Sequence, residues 1–127
     1  MSGPAEPRRV DPRRRLGTAG EVAVAAWYET AGYRVIDRNW RCRDGELDVV
    51  VAKGDTLVFC EVKTRASTRF GTPVEAVTGT KQRRLRMLAT RWLAEHDTRR
   101  HTLRFDVASV TRGSDGQLAV EVLEDAF

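Results

Sequence analysis

The residues best suited to chemistry are charged and lie on two neighbouring predicted strands. The Gly-Asp pair at 54–55 fits a two-residue hairpin turn with glycine first. This turn would place Asp48 directly opposite Glu61 and Glu46 directly opposite Lys63, all on one face of the sheet. Directly opposed side chains have Cβ atoms ~4.5–5.5 Å apart. The Asp48 and Glu61 carboxylates would therefore repel each other unless one is protonated or a cation lies between them.

A second predicted hairpin adds two arginines to this face. Asp44-Gly45 is a strong two-residue turn signal, and it would place Arg41 opposite Asp48 and Arg43 opposite Glu46. A slip of one residue in this register would scatter the cluster, because it would move one strand's side chains to the other face.

Two interpretations of this charged face remain open. In the first it is a divalent-metal site, since Mg²⁺ prefers a few carboxylates together with waters and substrate phosphates. The metal would lower the pKa of a bound water, and Lys63 would orient or activate that water. In the second the charges are structural, with Asp48 paired to Arg41, Lys63 paired to Glu46, and Glu61 an exposed acid at the edge.

The order of predicted elements is α-β-β-β-α-β-β, an α/β fold with one mixed sheet and a helix on each face or both on one. The first helix begins at Thr18, which forms a capping box with Glu21. The second carries a buried stripe from Leu85 to Leu93. The five strands are Tyr33–Arg41, Glu46–Ala52, Thr56–Thr64, Thr102–Thr111 and Gln117–Leu123, with a loop at 65–79.

Side chains outside the charged face have plainer interpretations. Asp106 alternates with Arg104 along one strand, which predicts an ion pair. Trp27, Trp40 and Trp92 are predicted core residues. His96 and His101 are predicted to lie on the surface, with His96 stabilising the end of its helix.

Length and charge limit the class of protein. The chain has 127 residues and a net charge of +4, enough for one domain. We expect a flexible basic arm over residues 1–16 and a single domain over 17–127. Residues 81–104 hold eight basic and two acidic residues, a net charge of +6, which indicates a polyanionic partner. The sequence contains no apolar run long enough to span a membrane, and its two cysteines suit a reducing cytoplasm.

The charged face also resembles a known superfamily. Asp48 followed by Glu61-Val62-Lys63 is similar to the D…(D/E)-x-K core of the PD-(D/E)XK nucleases, with Leu47 in place of the name-giving proline. A wider set resembles the YraN family, small bacterial proteins akin to archaeal Holliday-junction resolvases. That set covers about residues 17–123 and comprises Gly20-Glu21, Gly45-Glu46-Leu47-Asp48, Glu61-Val62-Lys63-Thr64-Arg65, Phe70-Gly71, Pro73, Glu75-Ala76-Val77, Lys81-Gln82 and Arg104-Phe105-Asp106-Val107.

The resemblance implies a restriction-endonuclease-like core and a Mg²⁺ or Mn²⁺ cofactor. It implies Glu21, Asp48 and Glu61 as metal-site carboxylates and Lys63 as the catalytic lysine. Gln82 matches a helical glutamine beside the site in related nucleases, although it could instead cap its own helix. The residues expected to hold nucleic-acid phosphates are Arg65, Lys81, Arg83, Arg84 and Arg86.

These observations favour a metal-dependent nuclease that hydrolyses DNA phosphodiester bonds, on branched or single-stranded DNA. The alternative is a non-catalytic nucleic-acid-binding protein on the same fold. A third hypothesis is a structural protein whose acids are surface ion pairs. DNA is favoured over RNA, no membrane partner is expected, and a homodimer is left open.

Overall fold

Two helices and five strands occur in the predicted α-β-β-β-α-β-β order. The computed structural model describes residues 12–65, 77–100 and 102–127, with side chains from residue 16 onward. Most of the predicted loop 65–79 and His101 lie outside these residues. The elements are α1 Pro12–Thr30, β1 Arg34–Cys42, β2 Gly45–Lys53, β3 Thr56–Arg65, α2 Gly79–Glu95, β4 Thr102–Arg112 and β5 Leu118–Leu123.

The five strands form one mixed sheet in the order β1-β2-β3-β4-β5. β3 and β4 are parallel, and the other neighbours are antiparallel. A parallel pair needs a long crossover connection, and α2 lies in the connection between β3 and β4. This topology confirms the predicted fold class.

Each helix covers its own face of the sheet. α1 packs through Val24 and Tyr28 on a cluster that includes Val49, Val51, Val58 and Cys60. α2 packs on the other face through its predicted stripe, with Leu85, Leu88, Ala89 and Trp92 buried against residues such as Phe59. The sequence left open whether the two helices share one face of the sheet, and the structure shows that they lie on opposite faces. Neither helix has the combined length and apolar character required to cross a bilayer, within the part of the chain described.

The β2–β3 hairpin has the predicted register. Lys53 pairs with Thr56 across the turn, and Gly54 has φ +57°, a left-handed conformation that glycine adopts without steric cost. The ladder runs as far as Val49 and Cys60. It ends one pair before Asp48 and Glu61, so the strands separate at the charged residues.

The predicted β1–β2 turn is wrong by one position. Cys42 pairs with Gly45, so the turn consists of residues 43–44. Gly45 belongs to β2, where a Cβ would lie 3.2 Å from Leu88 Cδ1. A glycine suits this position because its φ is +149°, a conformation that other residues rarely adopt, and because it permits close contact with α2.

α1 begins at Pro12, six residues before the predicted start at Thr18. Proline is favoured in the first helical turn, where its missing N–H has no intrahelical partner to lose. Thr18 lies inside the helix and is exposed, so the predicted capping box with Glu21 is wrong. The last five residues of the predicted arm are helical, and residues 1–11 lie outside the described residues.

A buried carboxylate ties α1 to β4. Asp106 is fully buried and accepts hydrogen bonds from Tyr28 Oη at 2.6 Å and from the backbone N–H of Asp125 at 3.0 Å. Arg104 donates to it from Nε at 2.8 Å and from Nη2 at 2.9 Å. The predicted Arg104–Asp106 ion pair is confirmed, and these bonds satisfy a charge that would otherwise be costly to bury.

We expect Tyr28→Phe to destabilise the protein by about 1.5–3 kcal/mol, the range for a lost hydrogen bond to a charged group. Urea denaturation at neutral pH measures the loss. Tyr33→Phe is the matched control, because the Tyr33 hydroxyl accepts from Arg104 at 3.1 Å in a less buried setting. A Tyr28→Phe protein no less stable than Tyr33→Phe would contradict the assigned role of the Tyr28 hydroxyl.

Candidate metal centre

The candidate site lies where β2 and β3 separate. Asp48, only 7% exposed, accepts a hydrogen bond at Oδ2 from the backbone N–H of Val62 at 2.8 Å. A side-chain carboxylate thus satisfies a β3 backbone donor beyond the end of the β2–β3 ladder. The contact fixes Asp48 between the two strands.

The regular alternation of side chains breaks at Asp48. Leu47 packs in the core beneath α2, whereas Val49 packs in the core beneath α1, although residues two apart in a regular strand share a face. Across the ladder, Arg38 pairs with Val49 and Trp40 with Leu47, and Asn39 between them has φ +54°. Asp48 therefore occupies a local distortion and lies close to both helices.

Three carboxylates meet at this point. Glu21 from α1, and Glu46 and Asp48 from β2, each offer an oxygen, and these oxygens all lie within 4.8 Å of one another. Glu21 reaches β2 because Gly20 lets α1 approach β3 closely. A Cβ at Gly20 would overlap Thr64 Oγ1 and lie 3.2 Å from Thr64 Cβ.

Glu61 and Lys63 form an ion pair beside this cluster. Lys63 Nζ lies 3.1 Å from Glu61 Oε1, and the two side chains are 24% and 18% exposed. The predicted alternative of a Lys63–Glu46 pair is therefore wrong, as is the alternative in which Glu61 is an exposed acid. Glu61 is close enough to Asp48 to raise its pKa.

The observed β1–β2 register changes the partners of Arg41 and Arg43 from those predicted. Arg41 lies opposite Glu46 instead of Asp48, and its Nε is 3.0 Å from Glu46 Oε2. The predicted alternative of an Asp48–Arg41 ion pair is wrong, and Arg43 lies in the turn instead of opposite Glu46. The shift is by two residues, so Arg41 stays on the predicted face.

Burial and mutual repulsion dominate the electrostatics of the cluster. Burial, followed by the nearby Glu61 charge, raises the pKa of Asp48 to about 8. Burial also raises the pKa of Glu21, against a hydrogen bond from Asn39 that lowers it. Carboxylates held this close need a proton or a cation. Their hard oxygen donors fit Mg²⁺ or Mn²⁺, which take carboxylate and water ligands.

A cavity of about 240 Å³ opens beside the acids. Its wall includes two cations from α2, Lys81 and Arg84. The ammonium of Lys63 is the main cause of a lowered pKa at Lys81, so these two lysines lie near each other. The complete lining is Gly45, Glu46, Asp48, Glu61, Lys81, Arg84, Leu85 and Leu88.

The other predicted site residues make contacts of their own. Gln82 donates from Nε2 to the Val77 carbonyl at 3.2 Å, at the start of its own helix, as in the capping alternative. Arg83 donates to Thr80 at 3.3 Å. The Arg86 guanidinium lies 4.7 Å from the centroid of the Phe105 ring. Arg65 is the half-buried last residue of β3.

The sequence analysis does not identify Glu46 or Asn39 as residues of the site. Glu46 was assigned to the charged face but not to the metal ligands, although its spacing of two from Asp48 along a strand was a usable signal. Asn39 was read as an ordinary strand residue. Asparagine is depleted in strands, so its presence there was the only hint of a special conformation.

The order of elements and the sheet topology define the structural class of the protein. One mixed sheet with a helix on each face and an α-β-β-β-α-β-β order is the architecture of a restriction-endonuclease-like core. Asp48, Glu61 and Lys63 lie together at the point where its central strands separate.

The particular family follows from sequence comparison. Residues 20–110 match the uncharacterised protein family UPF0102, and the chain belongs to it, which confirms the resemblance to the YraN family. A UPF0102 protein of Frankia casuarinae is 53% identical over 112 residues, 88% of this chain and 95% of that protein. One of Beutenbergia cavernae is 54% identical over 108 residues, 85% and 92% of the two chains. One of Symbiobacterium thermophilum is 49% identical over 114 residues, 90% and 97% of the two chains.

Proposed function

We propose that this protein is a metal-dependent nuclease that hydrolyses phosphodiester bonds in DNA. The observation that carries the proposal is the group of three carboxylates, Glu21, Glu46 and Asp48, with oxygens within 4.8 Å of one another. Asp48 is the buried member of this group, and a buried carboxylate beside other acids is costly without a proton or a compensating cation. The adjacent Glu61–Lys63 pair and a basic helix supply the other groups that phosphodiester hydrolysis needs.

The proposed metal ligands are Asp48, Glu21 and Glu46, with Glu61 beside them. A bound Mg²⁺ or Mn²⁺ would supply Lewis acidity to a phosphodiester group. Lys63 Nζ, held 3.1 Å from Glu61, would donate a hydrogen bond to the attacking water or to a phosphate oxygen. Its positive charge would also offset the negative charge that develops at phosphorus.

The cavity beside the acids suits a nucleic-acid backbone. Lys81 and Arg84 would contact phosphates, while Leu85 and Leu88 form an apolar wall. Contacts to phosphate position a protein on nucleic acid and carry no sequence information directly. The proposed specificity is therefore for DNA structure, branched or single-stranded, in keeping with the resemblance to Holliday-junction resolvases.

A cleavage assay tests this function. Purified protein is incubated with duplex, single-stranded and four-way-junction DNA in Mg²⁺, Mn²⁺ or EDTA. We expect cleavage of at least one substrate that requires metal and is lost in Lys63→Ala. Absence of cleavage on every substrate, with tight binding retained, would contradict the nuclease and favour a non-catalytic nucleic-acid-binding protein.

The phosphate contacts make a separate prediction. Binding of Asp48→Asn protein to DNA should weaken steeply with salt, and adding Arg84→Ala should lower the slope of log K against log[salt] by ~0.9 for duplex DNA, the loss of one phosphate contact. Arg34→Ala is the matched control, because Arg34 is exposed and pairs with Ala52 at the far end of β2 from the acids. Fluorescence anisotropy at several salt concentrations measures both slopes. Equal slopes for Arg84→Ala and Arg34→Ala would contradict a contact between Arg84 and a DNA phosphate.

A further inference from the structure

We propose that the edge strand β5 pairs with β5 of a second copy of this chain, antiparallel about a twofold axis. The inference does not depend on the proposed metal site, because β3 and β4 separate β5 from β2 in the sheet. It joins three observations: a regular strand edge, an apolar groove beside that edge, and a strand sequence that is complementary to itself.

The first edge of the sheet, β1, is protected against pairing. Among the described residues, β1 and β5 each have a neighbouring strand on one side only. Strand edges expose unpaired N–H and C=O groups, and proteins protect them with bulges and charged side chains. β1 has both, since its register shifts between Val35 and Asp37, Asn39 has a left-handed backbone, and Arg34 and Arg38 are exposed.

The second edge, β5, has neither form of protection. It pairs with β4 from Leu118 to Leu123 without a register shift. The strand contains no proline and no basic residue, and Glu121 is its one charged side chain. The free side of β5 is therefore a regular template to which another strand can add.

An apolar groove runs beside this edge. A cavity of about 620 Å³ lies between α1 and β5, and its lining includes Ala23, Ala26 and Trp27 of the helix and Leu118 and Val120 of the strand. The two β5 side chains are only half-buried. Apolar side chains of an added strand would extend this surface and cover the groove, and an exposed apolar patch of this kind is typical of protein–protein contacts.

The sequence of β5 fits a second β5 better than it fits an unrelated strand. Leu118, Val120 and Val122 face α1, and the side chains between them are exposed on the other face. Pairing centred on Val120 would place Val120 opposite its own counterpart and Leu118 opposite Val122, so the apolar faces coincide.

Charge selects the same register. Pairing centred on Val120 places Ala119 opposite Glu121 of the other copy, twice by symmetry. Pairing centred on Glu121 would instead place two carboxylates directly opposite each other, which is destabilising. A twofold axis brings the same patch of both copies together, so one strand supplies both sides of the contact and no free edge remains at β5.

Sedimentation equilibrium of the full chain tests whether this dimer forms. The measurement is made in EDTA, so that the result does not depend on metal binding. The mass should rise with protein concentration from that of one 14.3-kDa chain to that of two. A monomer at every concentration would overturn the inference and leave the proposed nuclease unaffected.

Ala119→Glu tests the predicted register. It places a carboxylate opposite Glu121 on both sides of the axis, so the Kd of the dimer should rise ~2–30-fold, the combined effect of two cross-strand charge pairs. Adding Glu121→Lys makes both facing pairs opposite in charge and should return the Kd to the wild-type value or below. Ala94→Glu is the matched control, because Ala94 is exposed on α2, and it should leave the Kd unchanged.

Ala26→Lys tests the groove separately. Ala26 is exposed on α1 and lines the cavity, so the change leaves the core intact and places a charge where the second copy would cover it. It should weaken the dimer at least as much as Ala119→Glu does. If neither variant weakens the dimer more than Ala94→Glu, β5 is not the interface. A loss in Ala119→Glu that Glu121→Lys does not reverse would overturn the proposed pairing.

Discussion

Asp48→Asn is expected to abolish metal-dependent cleavage and at the same time to stabilise the protein at alkaline pH. Cleavage should fall by ~10³-fold or more, because a catalytic metal contributes several kcal/mol to the stabilisation of a transition state. The gain in stability follows from the position of Asp48, which is 7% exposed and lies beside Glu61. Removing its charge relieves a repulsion that the fold alone does not compensate.

The pH dependence of this effect has a definite sign. The pKa of Asp48 is raised to about 8 in the folded protein, first by burial and then by Glu61, from an ordinary value of 3.8. Between these two values the folded state binds more protons than the unfolded state, so stability falls as pH rises. The contribution of a protonated Asp48 is fully present below about pH 4 and is lost as pH rises through about 8.

Thermal denaturation in EDTA at pH 5, 7 and 9 measures this behaviour. The midpoint of Asp48→Asn should exceed that of the wild type by ~4 °C or more at pH 9, which corresponds to about 1 kcal/mol in a domain of this size. The difference should shrink toward pH 5. A variant less stable than the wild type at pH 9 would contradict the assigned electrostatics of Asp48.

Asp106→Asn is the matched control for this measurement. Asp106 is also buried, but Arg104 and Tyr28 hydrogen-bond to its carboxylate, so it is a compensated charge. Its replacement should destabilise the protein at pH 7 and 9, because it removes the carboxylate that pairs most closely with the Arg104 charge. Two buried aspartates in one sheet should therefore respond in opposite directions to the same substitution.

Gly20→Ala is expected to have the second largest effect, through the position of α1. The added Cβ would overlap Thr64 Oγ1 and come within 3.2 Å of Thr64 Cβ and Cγ2, so α1 must move away from β3. Forcing extra volume into a packed contact typically costs about 1–3 kcal/mol. Because Glu21 is the next residue, the movement should also weaken Mn²⁺ binding, by an estimated ~10-fold, in the range for disturbed ligand orientation.

Gly17→Ala is the matched control on the same helix. A Cβ at Gly17 meets no atom within 4 Å, and alanine is favoured over glycine inside a helix by ~0.5–1 kcal/mol. Gly17→Ala should therefore raise the thermal midpoint and leave Mn²⁺ affinity unchanged. Adding Thr64→Ala to Gly20→Ala removes two of the three clashing atoms and should recover part of both losses. If Gly20→Ala behaves like Gly17→Ala, the close approach of α1 to β3 does not position Glu21.

The β2–β3 hairpin could be predicted because local chemistry determines it. A glycine at the first turn position and regular alternation place Val49 opposite Cys60, and no distant contact alters the pairing. The β1–β2 turn could not be predicted in the same way. Gly45 lies in β2 with φ +149° and in close contact with Leu88 of α2, and neither feature is visible in the local sequence pattern.

The site was predictable in part for the same reasons. Asp48, Glu61 and Lys63 lie together because the β2–β3 register brings them together. The place of Glu21 depends on how α1 packs on the sheet, which spacing along the chain does not determine. The break in alternation at Asp48 and the left-handed backbone of Asn39 on the neighbouring strand are tertiary features with little sequence signal.

The most direct test of the metal site is anomalous diffraction from a crystal soaked in Mn²⁺. The account predicts one strong manganese peak within coordination distance of Asp48, with Glu46 and Glu21 as further ligands, and no peak at that place in Asp48→Asn crystals. A well-ordered crystal with Asp48, Glu46 and Glu21 visible and no manganese between them would contradict the metal centre and the nuclease proposed from it.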